Sequence, residues 1–185
     1  MSTVATKSMT ADEFFLTEEF EDGKYELVRG EIEFMPPPGF RHGEVQTNIA
    51  FIIKLFLKSH RLGRVVTESG AITERDPDSV RGPDVSFYSA ERLPFGVEVI
   101  AYHDLPPDLC VEVKSPSDTK SGLRAKAHEY LTGGVQLVWV VDPDACTVTV
   151  YDSVLKSTVL ESAATLTAES VLPGFSCAVA DFFTG

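Results

Sequence analysis

The segment "VQLVWVVDP", residues 135–143, restricts the folding of this chain more than any other. It is almost continuously apolar, and it follows Gly133-Gly134, a pair that typically ends a helix. A strand without polar alternation is buried on both faces, so its sheet needs a covering layer on each side. Apolar residues at helical spacing over 43–59, and a second helical segment at 118–132, can supply those layers.

The remaining segments predict strands and helices in a definite order. The capping box Thr10–Glu13 predicts a short first helix, and "KYELVRGEIEFMPPP" predicts a hairpin that turns at Arg29-Gly30. "GRVVTESGAIT", "PDVSFYS" and "LCVEVKS" predict three strands, and "CTVTVYDS" and "STVLES" predict a later antiparallel pair. We therefore expect an α/β fold in which one central mixed β-sheet is flanked by helices. Because no repeat or linker divides the 185 residues, a single domain over 1–185 is expected.

Composition excludes several other classes of protein. The longest apolar run, 49–57, is too short to cross a membrane and contains Lys54. Residues 1–15 lack the basic-then-apolar order of a secretory signal, so we expect a cytoplasmic protein. The three cysteines are too far apart to indicate a disulfide framework or a zinc site: Cys110, Cys146 and Cys177.

The charge of the chain is unevenly distributed. A net charge of −12 argues against a nucleic-acid partner, because phosphate binding is mainly a cationic effect. However, residues 12–33 alone account for −7, whereas 54–64 carries four Lys or Arg and no acid, and 114–126 carries four against Asp118. Either basic run could be a solvated helix surface, or it could form a basic face on an acidic protein.

Acidic and basic residues lie at the ends of two predicted strands. Asp84 follows Pro83 at the start of one strand, and Glu112 and Lys114 project from the same face of another. These could be a strand-start residue and an exposed edge pair. Alternatively, the two carboxylates form an oxygen site suited to Mg²⁺ or Mn²⁺, and Lys114 orients or helps to deprotonate a water for phosphodiester hydrolysis.

The pattern Pro83-Asp84 with Glu112-Val113-Lys114 resembles the signature of the PD-(D/E)XK nuclease superfamily. From about Met9 to Phe183 the chain closely resembles the Uma-type restriction endonuclease family, through these segments in order: "YELVRGEIEFMPPPGFRHGEVQTNIAFII", "GPDVSFYSAERL", "PPDLCVEVKSPSDT", "KAHEYLTGGVQLVWVVDPDACTVTVYDS" and "LPGFSCAVADFF". The resemblance implies a restriction-endonuclease-like fold and divalent-metal-dependent cleavage of DNA.

The resemblance also implies roles for particular residues. Asp84 and Glu112 match the metal-binding acids, and the carbonyl of Val113 is a further expected ligand. Lys114 fills the lysine position of the signature, whereas many relatives have an apolar residue there and a lysine in the next helix, which Lys126 matches. Which lysine serves the water is therefore open. Glu44 matches an acidic position on the early helix, and His42 lies at the start of that helix.

Several of these residues could instead have ordinary structural roles. Lys126 could simply be solvated, with Tyr130 packed against its stem one turn later. Glu44 could be an ordinary acid in the first turn of a helix, and His42 a capping or surface residue. The competing function is a nuclease-like domain that binds nucleic acid or a protein partner without cutting. For a nuclease that cuts two strands with one site per chain, a homodimer is the simplest assembly.

Overall fold

The structure, a computed structural model, describes residues 8–17 and 24–184. Four acids of the segment 12–33 lie outside these residues: Glu18, Glu19, Glu21 and Asp22. The helices are α1 (Ala11–Phe15), α2 (Phe40–Ser59) and α3 (Lys120–Thr132), and a 3₁₀ turn spans Val179–Phe182. The strands are β1 (Lys24–Val28), β2 (Glu31–Met35), β3 (Gly63–Thr67), β4 (Ala71–Glu74), β5 (Ser79–Arg81), β6 (Val85–Ser89), β7 (Leu109–Val113), β8 (Leu137–Asp142), β9 (Thr147–Ser153), β10 (Lys156–Glu161), β11 (Thr165–Thr167) and β12 (Ser176–Ala178).

A six-stranded mixed sheet forms the centre of the fold, in the order β10-β9-β8-β7-β6-β3. Strands β7 and β8 pair in parallel, and every other neighbouring pair in this sheet is antiparallel. The prediction of an α/β fold with a central mixed sheet is confirmed. Strand β7 is an inner strand, so Glu112 does not lie on an exposed edge.

Helices α2 and α3 cover opposite faces of the sheet. Helix α2 buries residues at helical spacing against one face: Val45, Ile49, Ile53 and Leu57. Alternate residues of β7, namely Leu109, Val111 and Val113, join this cluster together with Trp139 and the tail residues Phe175 and Phe182. On the other face Cys110 packs with Leu123, Ala127 and Tyr130 of α3. The apolar strand β8 is buried on both sides, as the sequence predicts.

A second sheet was not predicted. Four short strands form it in the order β2-β1-β5-β4, and α1 packs on it through Ala11 and Phe14. The segment "GRVVTESGAIT", expected to be one strand, forms two strands in different sheets, β3 and β4. The break falls at Glu68, whose φ of 55° is incompatible with a continuous strand. The second sheet brings β1 and β5 close to α3.

Within the described part of the chain, no helix combines the length and apolar character that crossing a bilayer requires.

Candidate active site

Asp84 and Glu112 lie side by side on the face of the sheet that α3 covers. Val85 pairs with Val111, so Asp84 and Glu112 occupy the next positions along the same register. Both are buried, with only 4% and 6% of their surface exposed. The N–H of Val113 donates a hydrogen bond to Oδ2 of Asp84 at 2.6 Å, which fixes that carboxylate against β7.

Helix α3 contributes an amine and a phenol to Glu112. The ammonium nitrogen of Lys126 lies 3.1 Å from Oε2 of Glu112. The hydroxyl of Tyr130, one helical turn later, donates to Oε1 at 2.6 Å. Both oxygens of Glu112 therefore have a partner from the same helix. Tyr130 is buried and contacts the carboxylate directly, so packing against the Lys126 stem does not describe its role fully.

The second sheet adds a buried acid that the sequence analysis treated only as part of an acidic run. Oε1 of Glu26, on β1, lies 3.0 Å from the Lys126 amine and accepts the N–H of Gly82 at 2.9 Å. Arg81, on β5, donates to Glu26 at 2.9 Å and to both oxygens of Glu129 at 2.7 and 2.8 Å. Lys126 thus bridges Glu26 and Glu112, and Arg81 bridges Glu26 and Glu129.

His42, in the first turn of α2, closes the other side of the site. Its Nε2 lies 3.2 Å from Oδ2 of Asp84, and the side chain is buried. Its Nδ1 is buried without a hydrogen-bond partner among the described residues. Neither the capping nor the surface interpretation fits this histidine, because it contacts Asp84 in the interior.

Two candidate residues lie outside this group. Lys114 is on the same face as Glu112, but it follows the last paired residue of β7 and turns to Asp142 at the end of β8, at 2.8 Å. Glu44 is half-buried and does not line the cavity that contains Asp84, and it makes no hydrogen bond or ion pair with the described residues. The structure therefore brings Asp84, Glu112, Val113 and Lys126 together, and leaves Lys114 and Glu44 apart.

Burial and neighbouring charges shift the ionisation of these groups. Burial, together with the charge of Asp84, raises the pKa of Glu112 to about 7, against the opposing effects of Lys126 and Tyr130. Burial alone would lower the pKa of Lys126, but Glu112 and Glu26 outweigh it and raise that pKa well above its usual value. Burial also lowers the pKa of His42, but Asp84 more than compensates, so the net shift is upward. Lys126 is thus an ammonium ion at neutral pH.

The site opens into a cavity of about 360 Å³ between the second sheet, α2 and α3. Six carboxylates line it (Glu26, Glu33, Asp84, Glu112, Asp118 and Glu129), against Lys24, Arg81 and Lys126. Such an excess of acids attracts a cation. Oδ1 of Asp84 accepts no hydrogen bond from the described residues, so that oxygen is free for a ligand.

The number of carboxylates in the site bears on which metal ion it could hold. Among the described residues, no group of three or more His, Cys, Asp or Glu side chains could hold a metal ion. Magnesium, however, uses one or two carboxylates and keeps several waters. Asp84 and Glu112 supply two carboxylates, and Val113 borders the same cavity. The residues present therefore suit a water-rich Mg²⁺ or Mn²⁺ site rather than an all-protein cage.

Four contributors were not predicted as site residues, for identifiable reasons: Glu26, Arg81, Glu129 and Tyr130. Glu26 lies in an acidic segment, and its burial depends on a second sheet that no local pattern indicates. Arg81 and Glu129 meet across two elements 48 residues apart. Tyr130 offered one signal, because it lies four residues after Lys126 and therefore on the same helix face.

Comparison with known proteins also indicates a nuclease-related family. The model of the family Uma2, described as "Putative restriction endonuclease", matches residues 11–180. Among solved structures, the chain resembles a crystal structure described as a putative nuclease belonging to DUF820 from Anabaena variabilis. The two share 26% identity with a TM-score of 0.81, covering 95% of this chain and 97% of the other. No curated protein matches the chain.

Proposed function

Because the chain belongs to the Uma2 family of putative restriction endonucleases, we propose that it is a single-domain, divalent-metal-dependent endonuclease that hydrolyses DNA phosphodiester bonds. The observation that carries this proposal is the adjacency of Asp84 and Glu112 at the ends of neighbouring strands, with the Lys126 amine 3.1 Å from Glu112. Buried carboxylates beside one protonated amine are expensive to maintain, which favours a functional reason for their presence.

The two acids are the proposed ligands. Asp84 offers its free Oδ1, and Glu112 would bind through a remaining lone pair of its carboxylate once its proton is lost. The carbonyl of Val113 is the proposed third protein ligand. When bound, Mg²⁺ or Mn²⁺ would supply an acidified water and neutralise charge on the phosphate. The excess of carboxylates in the cavity supports this assignment.

Lys126 is the proposed catalytic amine. Its raised pKa keeps it protonated, so its role is to donate hydrogen bonds and stabilise negative charge on the attacked phosphate rather than to act as a general base. Glu26, on a different sheet from Glu112, also holds this amine. His42 and the Val113 N–H orient Asp84, and Tyr130 orients Glu112, so each acid is fixed by groups from a different element.

The test is a cleavage assay with purified protein, plasmid DNA and linear single- and double-stranded DNA, with Mg²⁺ or Mn²⁺ and with EDTA. We expect metal-dependent cleavage that Asp84→Asn or Glu112→Gln abolishes while circular dichroism and the unfolding midpoint remain close to wild type. Failure to cut any DNA with either metal would contradict the proposal. A homodimer fits cleavage of both strands with one site per chain.

The alternative is a nuclease-like domain that binds without cutting, and the net charge of −12 favours it. The two functions differ in their need for metal. Calorimetric titration with Mn²⁺ separates them, because the nuclease requires binding that depends on Asp84, whereas the binding domain does not.

A further inference from the structure

A second cavity lies beside the active site. It has a volume of about 600 Å³ and runs between α3 and the part of the sheet formed by β8, β9 and β10; we refer to it as the α3 groove. Helix α3 packs on Val138 and Val140 of β8 and reaches β9 at Tyr151, whereas most of β10 is exposed, so the groove lies between α3 and this edge of the sheet.

The floor of the α3 groove is mixed: hydroxyl side chains lie among the apolar and aromatic side chains Val140, Tyr151 and Val159. Thr147 and Thr149, at alternate positions of β9, and Ser157 of β10 line it. Their hydroxyls make no hydrogen bonds with the described residues. These three hydroxyls are therefore available to donate hydrogen bonds to a ligand in the groove.

The wall of the groove is cationic in an otherwise acidic protein. Lys120 and Arg124 lie one helical turn apart on α3, both are exposed, and neither has an ion pair among the described residues. The third cation, Lys114, is neutralised by Asp142 at 2.8 Å and lies 3.5 Å from Asp144. The available charge is therefore that of Lys120 and Arg124, at helical spacing along one wall.

The α3 groove and the active-site cavity lie on either side of the first turns of α3. Leu123 lines both cavities, and Gly122 lines the active-site cavity while its neighbours Ser121 and Arg124 line the groove. The first turns of α3 therefore separate the two cavities by the width of one helix. Lys126, which reaches Glu112, belongs to the same basic run as Lys120 and Arg124 but turns inward.

We propose that the α3 groove binds the sugar–phosphate backbone of the DNA strand whose neighbouring phosphate enters the active site, with Lys120 and Arg124 contacting phosphates and the β9 hydroxyls assisting. This inference rests on the proposed nuclease function. It also explains how a chain of net charge −12 can hold a polyanion, because only a local cationic path beside the reaction centre is needed.

The other basic run does not serve this purpose. Lys54 and Lys58 are also exposed, at the same i, i+4 spacing, on α2. At 1.5 Å per residue, Lys54 lies about 18 Å along the helix from His42, which marks the active site. These two lysines therefore provide a matched control on a different helix.

The experiment measures DNA binding by fluorescence anisotropy, with a short labelled duplex and its single strand, in EDTA over a series of salt concentrations. The variants are Lys120→Glu/Arg124→Glu, the milder Lys120→Gln/Arg124→Gln, and the control Lys54→Glu/Lys58→Glu. We expect the first to weaken binding roughly tenfold or more and to reduce the slope of log affinity against log salt by about two. The Gln pair should shift both quantities in the same direction, and the control should remain within about twofold of wild type.

Four outcomes separate this proposal from the nuclease proposal. If both groove variants bind DNA as tightly as wild type and metal-dependent cleavage is intact, the α3 groove does not bind DNA, while the nuclease proposal still holds. An acidic protein segment is then the better occupant of the groove. Equal losses in the groove and control variants also overturn the groove proposal, because only net charge would matter. Wild-type protein that binds no DNA overturns it as well. Selective loss of binding in the groove variants supports the groove even if wild-type protein cuts nothing, and in that case only the nuclease proposal fails.

Discussion

The amine of Lys126 lies 3.1 Å from Oε2 of Glu112, so the helix α3, and not strand β7 itself, supplies the cation of this site. Glu26 of β1 contacts the same amine at 3.0 Å. Lys126 of α3 thus lies between two buried carboxylates, Glu112 of β7 and Glu26 of β1. The arrangement fixes the amine more firmly than a flexible surface lysine could be fixed.

The two lysines should differ sharply in their effect on cleavage. Lys126→Met should lower kcat on the order of a hundredfold or more, because it removes the only Lys or Arg whose amine contacts Glu112 among the described residues. Lys114→Met should change kcat by a few fold at most, because Lys114 pairs with Asp142 outside the cavity. Single-turnover cleavage at saturating Mg²⁺ checks both. A large loss in the Lys114 variant with little change in the Lys126 variant would reverse the assignment.

Binding of Mn²⁺ should depend on pH through Glu112. Its pKa is about 7, and a metal must displace the proton, so affinity should fall roughly tenfold per pH unit below 7 and level off above it. His42 acts in the same direction, because its raised pKa keeps a positive charge beside Asp84 in acid. Calorimetry with wild type, Glu112→Gln and His42→Gln separates the two contributions. An affinity of wild type that stays constant on both sides of pH 7 would be inconsistent with this ionisation.

Glu26 should stabilise the fold as well as position Lys126. Glu26→Gln should lower the free energy of unfolding by about 3 kcal/mol, because it removes a buried charge that pairs with two half-buried cations. Glu33→Gln is the control: its carboxylate is 3.7 Å from Arg81 but 55% exposed, so the loss should stay below about 0.5 kcal/mol. Urea unfolding gives both values.

The stability difference should also depend on pH with a definite sign. Burial alone would raise the pKa of Glu26, but Lys126, the N–H of Gly82 and Arg81 outweigh it. The pKa is therefore below its usual 4.5. The stabilisation by its charge is therefore present above pH 4.5 and is lost as acid protonates the folded carboxyl. Equal stability losses in the Glu26 and Glu33 variants at neutral pH would argue against a buried network.

Local patterns predicted most of the elements because each has a strong periodic signal. The apolar spacing on α2 predicted a helix over 43–59, and the helix begins only three residues earlier, at Phe40. The hairpin at Arg29-Gly30 is confirmed, with φ of 52° and 79° at the turn. The split of residues 63–74 into two strands was missed, because nothing in the alternation marks a change of sheet.

The site was predictable as far as strand alternation reaches. Alternation correctly put Glu112 and Lys114 on one face, but the distance between β7 and β8 decides that Lys114 meets Asp142. Whether Lys126 is solvated or turned inward depends on where α3 crosses the sheet. Residue spacing within one segment predicts neither the distance between β7 and β8 nor the position at which α3 crosses the sheet. The family resemblance supplied Lys126 as a candidate, and the fold shows its contact with Glu112.

The most direct measurement is anomalous X-ray scattering from a crystal soaked in Mn²⁺. We expect a peak within about 2.0–2.3 Å of a carboxylate oxygen of both Asp84 and Glu112, with Lys126 beside it and Lys114 still paired with Asp142. A peak bound elsewhere, or crystals in which saturating Mn²⁺ leaves both carboxylates without a metal, would contradict this expectation.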